Sequence, residues 1–311
     1  MPEALKGRIA FLGTGAMGAP IAERLIDSGF EIAVFDVSAA AMQPLVARGA
    51  IAATSPRDAA NGAHTVYACL PSPEICREVA LGDAGIMAGS GDARSVKVYI
   101  ESSTIGTAAV KAIAEGLAKR GITVLDAPIS GGPRGARGGT LATMVAGDRA
   151  AFERTKPLFD TIAKNVFYVG AEPGLAQMAK LANNMISAAG MAAASEAVVL
   201  GVKAGLDPRV LIEAINAGTG RNTATTDKFP QSILTRSFDY GGKFSIMHKD
   251  VRLCLEEAKR MEVPMWVGNA VGQLWFQGMV EGRGEDDYTT IIRIIEDWTG
   301  VTVDGRDHKT P

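Results

Sequence analysis

The feature that most constrains this chain is a glycine run set between two regular patterns. Residues 8–12 (RIAFL) form an apolar run that ends at Gly13-Thr14-Gly15-Ala16-Met17-Gly18, and a helical pattern, APIAERLIDSG, follows and stops at Gly29. A second apolar run, EIAVFD, closes on Asp36. Strand, GxGxxG, helix, strand and acid together make the dinucleotide-binding fingerprint in the setting it requires. Gly13 permits the tight turn, Gly15 admits a pyrophosphate to the backbone of Thr14, Ala16 and Met17, and Gly18 lets helix and strand pack closely. The helix N-terminus offers its N–H groups to the phosphates. Asp36 stands where a carboxylate accepts a ribose 2′-OH and repels a 2′-phosphate, so NAD is expected, with NADP possible. The competing reading of Asp36 is a cap on the turn before Ser38.

Further strand-like runs at 65–70, 96–100 and 122–125 alternate with amphipathic helical stretches, and 141–147 and 165–170 add two more. That alternation predicts a doubly wound parallel sheet with helices on both faces. Ligands of such sheets gather beyond the C-terminal strand ends. Leu70-Pro71-Ser72 and Ser102-Ser103-Thr104 are therefore expected to pass the cofactor, although Thr104 could equally cap the helix starting near Thr107. Ser130-Gly131-Gly132 gives a hydroxyl and two unobstructed amides, either a nest for a carboxylate or a turn before Pro133. Gly135–Gly139 reads as a loose glycine-rich turn, and Gly170–Gly174, containing Pro173, as the domain breaker.

From Gly174 to Ala204 the chain has no proline and is rich in Ala, Leu and Met, which predicts a helix of roughly 25–30 residues. With Lys180 at zero, Asn184 falls near +40°, Ser187 near −20° and Ser195 near +60° at about 100° per residue. A lysine, an amide and two hydroxyls share one side of an apolar rod. The bland reading is a solvated stripe; the sharper one is a lysine facing a cleft. Helical periodicity continues near 208–217, 226–235, 247–260, 264–281 and 286–297, with Asp207-Pro208 opening the first of these. Arg221, in the polar run Gly218–Thr223, is either a fork for a substrate carboxylate or a solvated loop charge. The tail from 305 to 311 reads as frayed.

Composition narrows the classes. The 311 residues are 47% hydrophobic and 21% charged, with a formal net charge of −2, so no basic footprint points to nucleic acid. Cys69, Cys76 and Cys254 lack paired metal spacing and suit a reducing compartment, and His64, His248 and His308 form no zinc-like cluster, so no metal is expected. The N-terminus has no signal-peptide core, and no uninterrupted apolar run approaches a membrane span, so a cytoplasmic protein without a membrane partner is expected. The apolar pairs Met265-Trp266 and Trp275-Phe276 exceed what one small domain needs, which suggests a homodimer or homotetramer.

Four motifs in order, GTGAMGAP, DAPISGG, GLAQMAKLANN and MHKDVRL (247–253), resemble the β-hydroxyacid dehydrogenase family from Arg8 to about Val303. The family includes 3-hydroxyisobutyrate dehydrogenase, tartronate semialdehyde reductase and 2-(hydroxymethyl)glutarate dehydrogenase, and TGVTV (299–303) looks closest to the last. The resemblance implies a Rossmann-type domain (1–170), a long interdomain helix and an all-helical domain (171–311), with the active site in the cleft the helix crosses. It implies Lys180 as the catalytic lysine, Asn184 beside it, and Ser130, Gly131 and Gly132 on the substrate carboxylate. Thr104 and Lys249 would touch the cofactor, and Phe244 would help cover it. Thr14 departs from the larger residue usual there, a position where the backbone makes the contacts. The implied reaction passes a hydride between NAD(H) and a short β-hydroxyacid or semialdehyde acid. Rivals are a reductase of a sulfonate-bearing aldehyde, an imine reductase, which usually lacks the lysine, and a non-catalytic dinucleotide-binding module. A larger 6-phosphogluconate-type enzyme would need more helical domain.

Overall fold

The computed structural model describes residues 7–88 and 96–306. Two compact units emerge, Met1–Lys180 and Leu181–Pro311. The part of the frayed tail from 307 onward lies outside the described residues.

The first unit is a twisted sheet between two helical layers. In chain order it runs β1 (Arg8–Leu12), α1 (Gly18–Asp27), β2 (Ile32–Phe35), α2 (Ala39–Val46), β3 (Ile51–Ala52), α3 (Pro56–Ala60), β4 (Ala63–Ala68) and α4 (Pro73–Leu81). It continues β5 (Val98–Glu101), α5 (Thr107–Ala118), β6 (Thr123–Asp126), β7 (Ile129–Ser130), α6 (Gly132–Gly138), β8 (Leu141–Gly147), α7 (Arg149–Ile162) and β9 (Ala163–Gly170). Strand order is β3-β2-β1-β4-β5-β6-β8-β7, with β9 on β8. Alternation along β1 builds both cores. Ile9 and Phe11 pack with α1, α2 and α7 residues such as Leu25, Leu45 and Phe159, whereas Ala10 and Leu12 pack with Ala59, Cys76 and Ile113 of α3, α4 and α5.

The six strands β1–β6 are parallel neighbours, as expected of the runs that form β1, β2, β4, β5 and β6; the two-residue β3 is not among those runs, and β8 runs antiparallel to both β6 and β7. The supposed turn Gly135–Gly139 is also different. Residues 132–138 form α6, which ends in left-handed Gly139. This helix has almost no apolar periodicity to announce it. It is held from outside: Ala136 is buried, and Arg24 of α1 donates to the Arg137 carbonyl at 3.2 Å and the Thr161 carbonyl at 3.1 Å.

The chain leaves β9 at Gly170 and enters α8 (Leu175–Lys203), a 29-residue helix. Its start is capped from the sheet. Asp126 Oδ2 accepts from the Gly174 amide at 2.8 Å and the Gln177 amide at 3.0 Å, a negative charge at the positive end of the helix dipole. By length and composition alone α8 could cross a membrane. Its apolar residues Leu181, Met185, Ala188, Met191 and Val198 are instead buried in the second unit's core.

The second unit adds α9 (Pro208–Ala217), a π-helical segment (Ala224–Ile233), α10 (Phe244–Arg260), α11 (Trp266–Val280) and α12 (Ile291–Thr299). Asp207 caps α9, accepting from the Arg209 amide at 2.8 Å. Within the π-helical segment Pro230 has no N–H for the Thr225 carbonyl five residues back, and the Asn216 side-chain amide donates to that carbonyl at 3.0 Å instead. Of the aromatic pairs expected at a surface, Trp275 is fully buried against Phe244, while Trp266 is 86% exposed and Phe276 is exposed.

Candidate active site

The glycine loop fits a dinucleotide on steric grounds. A Cβ on Gly13 would strike the Cys69 carbonyl oxygen, and one on Gly18 would strike the Gly13 carbonyl, so both positions demand glycine. A Cβ on Gly15 would meet nothing, and Gly15 and Ala16 are exposed: this is the open side from which phosphates can approach the backbone. Thr14 is buried and Met17 half-buried. Met17 precedes α1 without a side-chain cap, and the first turn holds no acid to repel an anion. β1 has β2 on one side and β4 on the other, so the loops after β1 and β4 flank the point where strand order reverses.

Asp36 follows β2 and is half-buried. Its Oδ2 accepts from the Thr14 amide at 2.7 Å and its Oδ1 from the Ser38 amide at 2.9 Å. The turn-capping reading of Asp36 is seen in these two contacts. The carboxylate ties down the turn, and each oxygen keeps a lone pair for a ribose hydroxyl. Beyond β4, the Leu70 amide donates to Ser103 Oγ at 2.8 Å, and Pro71 is exposed. Thr104 does not cap α5, because Gly106, at φ 82°, occupies that position. Ser103 in turn is set by Glu101, whose Oε1 accepts from its amide at 2.9 Å and whose Oε2 accepts from the Tyr99 hydroxyl at 3.1 Å. Burial pushes the Glu101 carboxyl up to about 7 against those hydrogen bonds.

Gln177, on the first turn of α8, was not foreseen. Its Oε1 accepts from the amides of Ile105 (2.8 Å) and Gly106 (3.0 Å), and its Nε2 donates to the Ser103 carbonyl (3.0 Å) and Asp126 Oδ1 (2.8 Å). This fully buried amide locks the 103–106 loop to the start of the helix that carries Lys180. Ser130 ends β7. Gly131 and Gly132 follow with φ of 127° and 62°, both exposed. Two successive positive-φ positions are a backbone that a side-chain-bearing residue resists.

Lys180 and Asn184 are 7% and 8% exposed, four residues apart on α8. That is too buried for a solvated stripe. Asn184 Nδ2 donates to Asp250 Oδ2 at 2.6 Å, and its Oδ1 accepts from Asn183 Nδ2 at 3.0 Å. An amide nitrogen has two N–H groups, so one remains for a substrate oxygen. Asp250 Oδ1 lies 2.8 Å from Lys249 Nζ in a mostly buried ion pair. Asp250 thus orients both neighbours, and its signal was adjacent: it follows Lys249 in MHKDVRL.

Two residues of the expected set lie elsewhere. Phe244 is completely enclosed, packed 4.7 Å ring to ring on Trp275 and against Gly278, so it serves the core and has no face to lay over a dinucleotide. Arg221 is exposed in its loop. The buried cation of that region is Lys228, seven residues on and overlooked in the sequence. It donates to Ser187 Oγ at 3.2 Å and Thr223 Oγ1 at 3.0 Å. Ser187 is therefore a lysine's acceptor, whereas Ser195 donates to the Met191 carbonyl at 2.8 Å within its own helix.

Comparison with known proteins is decisive at this point. Residues 8–170 match the NAD-binding domain of 6-phosphogluconate dehydrogenase, and residues 174–295 match the NAD-binding domain of NADP-dependent 3-hydroxyisobutyrate dehydrogenase. The chain belongs to the β-hydroxyacid dehydrogenase family. It is 33% identical to 2-(hydroxymethyl)glutarate dehydrogenase of Eubacterium barkeri over 96% of this chain and 98% of that one. It is 36% identical to NAD-dependent L-serine dehydrogenase of Pseudomonas aeruginosa, over 94% and 99%. Among solved structures, Mycobacterium tuberculosis 3-hydroxyisobutyrate dehydrogenase with L-serine superposes with a TM-score of 0.82 at 28% identity, covering 93% of this chain and 99% of that one. A Rossmann-type domain followed by an all-helical one is the architecture of this family, and its members are NAD(P)-dependent hydroxyacid dehydrogenases.

Proposed function

We propose that the protein interconverts a short β-hydroxyacid and its semialdehyde acid, of the 3-hydroxyisobutyrate, tartronate semialdehyde or hydroxymethylglutarate kind, with Lys180 as proton relay. The observation that carries this reading is the pairing of a buried lysine with an amide tethered by Asp250, one turn apart on one helix face. Gly13 to Gly18 would hold the pyrophosphate, Asp36 the ribose, and Leu70, Pro71, Thr104 and Lys249 the rest of NAD; the nicotinamide, when bound, accepts or supplies the hydride.

The protein's share is proton movement and geometry. In oxidation, Lys180 Nζ as the neutral amine takes the alcohol proton while the carbon–oxygen double bond forms. In reduction, the ammonium returns it to the oxygen. The free Asn184 N–H steadies that oxygen without adding a charge. Ser130 and the Gly131 and Gly132 amides receive the carboxylate, which fixes the β-carbon's position. We include self-association in the proposal: Trp266, Val267, Phe276 and Val280 of α11 expose an apolar surface that suits a homodimer or homotetramer.

Lys180→Ala should lower kcat by about 10²–10⁴-fold with hydroxyacids or semialdehyde acids. NADH affinity, read by fluorescence titration, should stay within about threefold, since the phosphate and ribose contacts are untouched. Retention of most of the turnover by this variant would sink the assignment.

A further inference from the structure

Lys228 is the strangest charge in the second unit. It is 3% exposed, and its ammonium meets only neutral partners: the hydroxyls of Ser187 and Thr223, and the rings of Tyr240 and Tyr288, whose centroids are 6.0 and 5.8 Å away. Among the described residues no carboxylate lies within ion-pair distance of its Nζ. Asp227, next in the chain, acts on it only through space. Buried charges are ordinarily paired, because an unpaired one loses its hydration without recompense. A lysine kept so, at the end of a π-helical turn's side chains, points to a missing anion.

Where the ammonium sits tells which anion. Ser187 is three residues beyond Asn184 and seven beyond Lys180, within a narrow arc of the same helix face. That places it about 4.5 Å further along the axis than Asn184 and about 10.5 Å beyond Lys180. Ser187 is half-buried and Thr223 exposed, so the two hydroxyls that hold Nζ lie at the edge of the core and not in its middle. We propose that Lys228 is a specificity-determining residue whose ammonium selects substrates with a second anionic group, dicarboxylic hydroxyacids or semialdehydes over monocarboxylic ones. The inference rests on the hydroxyacid reading of the Lys180 face. The distal anionic group would meet the Lys228 ammonium, with Ser187 and Thr223 turning their hydroxyl protons to it.

The test is binding of glutarate against butyrate to the NAD-loaded full chain by isothermal titration, in the wild type, Lys228→Met, Lys228→Gln and Lys228→Arg. Glutarate should bind about tenfold or more tightly than butyrate in the wild type. That ratio should fall to within about threefold of unity in Lys228→Met and Lys228→Gln, and persist in Lys228→Arg. In turnover, the KM for 2-(hydroxymethyl)glutarate should rise in Lys228→Met with a smaller change in kcat, as expected for lost substrate binding. A wild-type ratio near unity overturns the proposal. So does a ratio unchanged in whichever neutral variant folds, as judged by circular dichroism. Loss of all hydride transfer with the glutarate preference intact would instead sink the dehydrogenase reading and leave Lys228 as a second-anion site.

Discussion

Removing the Lys228 charge should stabilise the protein at neutral pH, and the gain should vanish on the alkaline side. Burial pulls this lysine from 10.5 down to about 8, with Asp227 opposing. At about 1.4 kcal/mol per pKa unit, holding it protonated at pH 7 costs the fold about 3 kcal/mol, an upper bound for a group that retains some access to solvent. Lys228→Met removes that cost but forfeits the hydrogen bonds to the Ser187 and Thr223 hydroxyls, at about 1 kcal/mol each. A net gain of about 1 kcal/mol remains. The sign follows from proton counts. Between pH 8 and 10.5 the unfolded chain binds the Lys228 proton and the folded chain does not, so wild-type stability rises through that window. Relative to Lys228→Met, the wild type should recover about 2 kcal/mol between pH 7 and 9.5. Of the neighbouring groups, Tyr288 is pushed up by burial and stays protonated throughout. Tyr240 and Asp227 are common to both proteins and cancel to first order in the difference. Urea midpoints of both proteins at half-unit pH steps, without ligand, provide the measurement. Parallel profiles would refute the claim that an unpaired ammonium is held in the fold.

Two more outcomes follow from the first unit. Asp36→Ala should narrow the kcat/KM preference for NAD over NADP by about tenfold or more, since the carboxylate that repels a 2′-phosphate is gone; an unchanged ratio would confine Asp36 to its turn. Glu101, held near 7 rather than 4.5, contributes stability that is complete below pH 4.5 and is lost as pH rises through 7, so Glu101→Gln should flatten a decline of about 2–3 kcal/mol between pH 5 and 8 in the urea midpoint.

What the sequence discloses and what it hides divide along physical lines. The glycine loop, the strands β1, β2, β4, β5 and β6 and the helix α9 are local matters: steric need for glycine, apolar runs, a capping aspartate before proline. Each was readable, and α9 begins and ends where its pattern does. Lys180 and Asn184 were readable because helical spacing carries them to one side. Strand direction is not local, and β8's antiparallel course has no signature in LATMVAG. The helix α6 owes its place to Arg24, more than a hundred residues earlier. Phe244 shows the same limit in reverse, since the resemblance suggested a cofactor contact while its burial depends on Trp275 and Gly278.

Lys228 escaped for the deepest version of that reason. Its surroundings are Ser187, Thr223, Tyr240 and Tyr288, gathered from four separated stretches, and none is charged. The motifs that carry the family resemblance are assigned to dinucleotide binding, proton movement and one carboxylate. Choice among substrates needs a residue that the shared chemistry leaves free. On α8 the residues given those tasks end at Asn184, one of whose amide N–H groups is held by Asp250. The next polar position on that face, Ser187, answers to a lysine from another segment. A lysine buried at a cost in stability, held by a hydroxyl one turn beyond Asn184 on α8, is placed to choose among acids.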